Sequence, residues 1–284
     1  MLPDKTSRRY WDTLFPMFIY LGCSVCIYLF WRCLGIWCIR LFSILPLSEP
    51  YHTYLTAISP SFAMALGVSV LSRLFLKKKP LELIRSEGNP KAKPFLVAFL
   101  SYFLVVAFCQ WGKTLFHPAS VIALHPGIGE YLLMALLVLP CNIIQCGAEE
   151  FMMRIIPSRT AKNIWVSSAI CTACFLLPHL GNTEVTSGDT LFVLLYYALF
   201  GFFGTLVSLK AGGFEYALGI HMANNLFISL VCNYESSALQ SSPLFETIGK
   251  TGTREDVIVL AIGLAVSGYL AISRKQSGVP ETPL

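Results

Sequence analysis

Three short polar clusters interrupt apolar stretches of this chain, and each carries side chains that can move protons or bind developing negative charge. The first is Cys146-Gly-Ala-Glu149-Glu150-Phe-Met-Met-Arg154, the second Phe175-Leu-Leu-Pro-His179, and the third His221-Met-Ala-Asn224-Asn225. A carboxylate beside an imidazole can hold a water and take its proton. A second imidazole and an amide can donate hydrogen bonds to an oxyanion. Glu149 or Glu150, His179, His221 and Asn225 are therefore a complete kit for water attack on a peptide carbonyl. Glu149, His179 and His221 also have the donor types of a zinc site, although they do not follow the H-E-x-x-H pattern of soluble zinc proteases.

The elements that must position these residues are set by composition. Of 284 residues, 55% are hydrophobic and 13% charged, and mean hydropathy is +0.63. Soluble domains carry about 25% charged residues, and a soluble fold of this size cannot hide so much apolar surface. The same numbers exclude disorder. A net charge of +5 without a clustered basic face gives no support for nucleic-acid binding. The ten cysteines lie almost all in apolar runs and read as small buried hydrophobes, including the C-x-x-C pairs Cys23/Cys26 and Cys171/Cys174.

The expectation is an all-α polytopic membrane protein, one integral-membrane domain over 1–284, with a motif-bearing core over about 130–232. Eight apolar segments are candidate spans: 14–38, 54–76, 95–112, 131–156, 164–180, 190–210, 214–232 and 256–273. The first is too long for a signal peptide and no small-residue cleavage site follows it. If the spans alternate, sixteen Lys and Arg residues fall on one side, against Arg40, Lys113, Lys250 and Arg254 on the other. That bias predicts both termini in the cytoplasm. The Lys77–Lys79 cluster is read as a topology determinant that also contacts anionic lipid. The loop 113–130, with His117-Pro118 and His125-Pro126, reads as irregular.

Charges inside a span are expensive. Glu149, Glu150 and Arg154 together cost roughly 8–10 kcal/mol at mid-membrane, whereas the apolar residues of their span return only about 5. The three must therefore pair or line a wet cavity. Glu150 and Arg154 are i, i+4, about 40° apart on a helix, and can pair directly. Glu149 lies about 100° further round, in a stripe with Asn142 and Gln145 that should face the protein interior.

Glu-Glu-x-x-x-Arg, Phe-x-x-x-His and His-x-x-x-Asn, in that order on successive polytopic helices, resemble the CAAX-processing and bacteriocin-processing (Abi) family of intramembrane endopeptidases, distantly similar to the Ras-converting CAAX prenyl endopeptidase. The resemblance implies an eight-helix fold and glutamate-dependent hydrolysis within the membrane. By motif position it assigns Glu149 as the water-activating carboxylate, His179 as its partner, His221 and Asn225 as oxyanion donors, and Glu150 and Arg154 as a supporting ion pair. It implies no cofactor, with zinc on Glu149, His179 and His221 as the alternative. Two departures are Ile155, where glycine often follows the motif arginine, and Pro178, which must bend or end its helix just before His179.

Expected partners are membrane lipid and a membrane-associated peptide or lipidated protein substrate. The expected location is a bacterial plasma membrane, or the endoplasmic reticulum for a eukaryotic chain. The aromatic residues Phe192, Tyr196, Tyr197, Phe200, Phe202 and Phe203 are candidates for an apolar groove or for ordinary packing. Two other functions fit intramembrane Glu, His and Arg: a proton-coupled transporter, and a non-catalytic scaffold or immunity protein. Straight-helix arithmetic raises a difficulty. From a turn near Pro157, Glu149 lies roughly 12 Å away and His179 roughly 22 Å. The cavity is accordingly expected in the cytoplasmic half, and His179 does not reach it unless the fifth helix tilts or starts late.

Overall fold

A computed structural model describes the backbone of residues 5–276 and the side chains of residues 15–273. Lys5, Arg8, Arg9, Arg274 and Lys275 of the basic set have side chains outside that range. The protein is a helical bundle: α1 (Lys5–Ser43), α2 (Tyr51–Ile58), α3 (Pro60–Leu76), α4 (Ala92–Phe116), α5 (Ile128–Glu150), α6 (Ile164–His179), α7 (Thr183–Ser187), α8 (Thr190–Ala211), α9 (Glu215–Leu230) and α10 (Arg254–Gln276). Every expected span falls on a helix. Among the described residues, six stretches are long and apolar enough to cross a membrane: Phe15–Ser43, Tyr51–Leu76, Ala92–Phe116, Ile128–Thr160, Thr190–Ala211 and Arg254–Ser273. The helices α6 and α9, at 16 residues each, are shorter than the roughly 20 that a perpendicular span needs.

Local chemistry sets the helix ends. Asn163 Oδ1 accepts the backbone N–H groups of Trp165 and Val166 and opens α6, and Asp189 Oδ1 does the same for Leu191 and Phe192 at the start of α8. The second expected span is two helices, because Pro60 offers no N–H and opens α3 directly after α2. The third span, 95–112 by hydropathy, extends to 25 residues, with Lys93 and Lys113 near its ends. There the long stems can lie along apolar surface while the ammonium groups reach the interface.

The loop read as irregular carries a strand. β1 (Val121–Ala123) pairs antiparallel with β3 (Phe245–Thr247), which pairs in parallel with β2 (Cys232–Tyr234). This small sheet caps one end of the bundle, with the first turns of α5, α8 and α10 and the last turns of α6 and α9. At the opposite end lie Lys77–Lys79 and the segment after them. There Arg85 pairs with Glu215 at 3.3 Å, Phe214 N–H bonds Ile84 O, and Arg159 bonds Leu83 O. The basic segments that the sequence assigns to one side thus meet at one end.

Packing joins α4 to α9, α1 to α3, α6 to α8 and α10 to α4. Gly219 permits the first of these. A Cβ there would lie 2.7 Å from Phe95 O and 3.0 Å from Phe99 N, so α4 lies backbone-close against the α9 turn that leads to His221.

The helix α5 does not turn back at Pro157. Phe151–Ile155 form a π turn and Pro157–Thr160 a 3-10 turn, nearly all buried, and the reversal comes at 161–163. Ser167 Oγ–H donates to Ser158 O at 2.7 Å and closes the corner. Measured from this later turn, Glu149 lies roughly 18 Å along its helix and His179 roughly 22 Å along its own. The mismatch expected from straight helices comes from a misplaced corner, not from tilt.

Candidate active site

The deepest part of the site is a charge cluster on α5. Glu150 and Arg154 are both fully buried and form an ion pair across one turn. Arg154 Nη2 also donates to Phe200 O on α8 at 3.1 Å, and its guanidinium lies 5.0 Å from the Phe175 ring centre on α6 and 5.3 Å from that of Phe200. The approach of α8 depends on Gly204, where a Cβ would come within 3.0 Å of Arg154 Cζ. His221 of α9 donates Nδ1–H to the other oxygen of Glu150 at 2.8 Å. One carboxylate and one guanidinium thereby tie α5, α6, α8 and α9 together. Sequence spacing shows the Glu150–Arg154 contact. It does not show that His221 comes to Glu150, because that requires knowing that α9 packs on α5.

Glu149 projects from the next position round the helix, into a cavity. Gln145, one turn earlier, donates Nε2–H to its Oε1 at 3.2 Å, and His221 Nε2 lies 3.4 Å from its Oε2. The imidazole of His221 therefore bridges both glutamates. Asn142, on the same stripe, donates to Met222 O at 2.9 Å and so fixes α5 against α9. His179 stands at the last residue of α6 with its ring on Phe175 and Tyr197, at centroid distances of 4.6 and 4.5 Å. Its Nδ1 lies 2.6 Å from Phe175 O. A carbonyl only accepts, so the proton sits on Nδ1 and the neutral ring keeps its lone pair on Nε2. Pro178 sits in that last turn and the helix stops one residue later.

Asn225 also lines the cavity, and its orientation is set by a residue outside the expected site. The hydroxyls of Tyr196 (2.8 Å) and Tyr102 (3.2 Å) both donate to Asn224 Oδ1. The Asn224 amide must then turn its nitrogen elsewhere, and it donates to Asn225 Oδ1 at 3.3 Å. Asn225 is left with its own Nδ2–H₂ as the group not consumed by this chain. Asn224 lies next to the motif asparagine, but only the packing of α4, α8 and α9 reveals the relay.

Glu149, His179, His221 and Asn225, from three helices, line one cavity of about 330 Å³. Of the aromatic residues on α8, Tyr196, Tyr197 and Phe200 line it too, whereas Phe203 is 41% exposed on the outside and Phe202 stacks on Trp165. The wall runs from Met153 and His221 outward past Tyr102 and Gln110 to Lys113, Glu184, Thr247, Thr251 and Glu255. No lining residue comes from 77–94 or 157–163. The cavity therefore occupies the half of the bundle under the sheet, away from the basic end. This corrects the expectation that it lies in the half nearest the basic loops, which followed from the misplaced corner at Pro157.

Residues 130–227 match the family model described as "Type II CAAX prenyl endopeptidase Rce1-like". This stretch is an Rce1-like domain. It is embedded in an integral membrane protein, and its family is one of membrane endopeptidases. The Rce1-like domain contains all three polar clusters. The chain is also 26% identical over 237 residues to the Bacillus subtilis (strain 168) protein described as "Uncharacterized protein YyaK", covering 81% of this chain and 79% of that one. As to metal, both ring nitrogens of His221 face carboxylates. Among the described residues, no three His, Cys, Asp or Glu side chains are grouped to hold an ion.

Proposed function

We propose that the protein is an intramembrane endopeptidase that hydrolyses a peptide bond in a membrane-associated or lipidated protein or peptide. The observation that carries this reading is the convergence of Glu149, His179, His221 and Asn225 on one cavity wall, each oriented by a partner of its own. Water held between Glu149 and His179 Nε2 attacks the carbonyl carbon while Glu149 takes its proton. The carbonyl electron pair moves onto oxygen, where Asn225 Nδ2–H and the Nε2 side of His221 donate to it. Collapse breaks the C–N bond, and the proton passes from Glu149 to the leaving amine. Glu150 and Arg154 hold His221 from behind and touch no substrate.

No metal takes part in this scheme, and its support is that both His221 nitrogens are already engaged by the glutamates. Zinc on Glu149, His179 and His221 is the competing arrangement, and chelation distinguishes the two. The bacterial relative supports a plasma-membrane location.

The test uses the full chain in detergent, with and without chelator, against a library of lipidated and unlipidated peptides read by mass spectrometry. Wild type should cleave, Glu149→Gln should not, and cleavage should survive chelation. Loss on chelation would make Glu149, His179 and His221 metal ligands. Cleavage undiminished in Glu149→Gln would sink the mechanism. An unchanged cellular phenotype of Glu149→Ala, with no cleavage by folded wild type, would favour a scaffold.

A further inference from the structure

The cavity has a side, and the distribution of charge says which compartment that side faces. Lys77–Lys79, Arg85, Lys91, Arg159 and Lys210 belong to segments that meet at one end of the bundle. Arg40, Lys113, Lys250 and Arg254 belong to the sheet end. Loops this short obey the rule that the lysine- and arginine-rich side stays in the cytoplasm. The sheet end is then extracytoplasmic.

The cavity follows the sheet end on each of three helices. On α10 it touches only Glu255 through Leu260, the first two turns. On α8 it touches Val193 to Phe200 and stops 11 residues, roughly 16 Å, short of the basic end at Ala211. On α4 it runs from Tyr102 to Lys113 and leaves the first ten residues untouched, roughly 15 Å. Among all its lining residues only Glu255 is exposed, and Glu255 stands at the sheet end. The outer wall is hydrogen-bonding in character, built from Asn182, Ser237, Thr247 and Thr251 around the deeper aromatic floor.

We infer that the cavity is entered from the extracytoplasmic face, past Glu255, and that its substrate is a peptide segment exposed on that face, not a cytoplasmic protein tail. The substrate half of this inference rests on the peptidase reading above; the sidedness does not. A polar outer wall suits an extended backbone, whose N–H and C=O groups need partners when they leave water. The aromatic floor suits an apolar side chain next to the bond to be cut.

The test needs no activity. Glu255→Cys, Gln110→Cys within the cavity and Lys78→Cys at the basic end are made in the full-length protein in its own membrane. A membrane-impermeant maleimide is applied to intact spheroplasts or to permeabilised ones. Peptide mapping by mass spectrometry locates each adduct, so the ten native cysteines do not confuse the reading. Glu255→Cys and Gln110→Cys should label at least tenfold more than Lys78→Cys in intact cells, and permeabilisation should bring Lys78→Cys level. An epitope inserted at the exposed Lys250 should bind antibody on intact cells, which guards against misfolding of a cysteine variant. Labelling of Lys78→Cys alone, or equal labelling of all three before permeabilisation, would overturn the inference. A failed Glu149→Gln experiment with this labelling pattern intact would remove the peptidase and leave the sidedness.

Discussion

Replacing Arg154 by methionine should cost the fold roughly 3–5 kcal/mol, because it leaves a buried carboxylate without its cation. The structure supplies the terms. Arg154 and Glu150 are both 0% exposed, so water cannot replace the lost partner. The substitution also strips a donor from Phe200 O and removes the guanidinium from two aromatic faces, at 5.0 and 5.3 Å. Each such face is worth about 0.5–2 kcal/mol. What remains for Glu150 is the single bond from His221. Adding Glu150→Gln removes the stranded charge and keeps an acceptor for His221 Nδ1–H. The double variant should therefore recover at least half of the loss, since an ion pair replaced by neutral groups of similar volume is often near neutral. Reversible unfolding in mixed detergent micelles, followed by helical circular dichroism, measures all three variants. A single-variant cost below about 1 kcal/mol, or a double variant no better than the sum of the singles, would refute the claim that desolvated charge dominates this site.

Asn224→Asp keeps an acceptor for Tyr102 and Tyr196 but presents a second oxygen to Asn225 Oδ1, which should turn the Asn225 amide round. Turnover should fall about 10²–10³-fold, the usual loss for one oxyanion donor, with thermal stability nearly unchanged. Gly204→Ala places a methyl within 3.0 Å of a clamped guanidinium and should destabilise by about 1–3 kcal/mol in the same unfolding assay. Glu184, in the short helix α7 at the cavity mouth, accepts Ala238 N–H through Oε1 while Oε2 is buried without a partner, and burial raises its pKa above the ordinary glutamate value. A raised folded-state value means that the folded protein holds the proton more tightly, so stability is lost as pH climbs from the unfolded value through the folded one. Glu184→Gln should remove that slope and leave the protein more stable at neutral pH, as unfolding measured from pH 4 upward would show.

Helix identity and the Glu150–Arg154 pair were legible in the sequence, because both follow from a period of about 3.6 residues and from the cost of charge in lipid. Glu149 pointing to the interior with Gln145 and Asn142 was legible for the same reason. The bridge from His221 to both glutamates was not, since it depends on how closely α9 lies against α5. The relay through Asn224 was hidden likewise: it needs tyrosines from α4 and α8, 122 and 28 residues distant. The strands, three residues each, are too short for alternation to show. The corner after α5 was misread because Pro157 looks like a stop signal, whereas the chain uses it to open a 3-10 turn.

The π turn at Phe151–Ile155 makes the length of this segment matter as much as its composition. It accommodates one residue more than an α turn would over the same arc. Evolution can change a side chain there and let neighbours adjust, but it cannot shorten the chain so cheaply. Deleting one residue would leave a passable helix and rotate everything beyond it by about 100°. Ser158 would leave Ser167, and Arg159 would leave Leu83. The stretch should therefore drift in sequence among relatives while holding its residue count, with insertions and deletions confined to the loops beyond it.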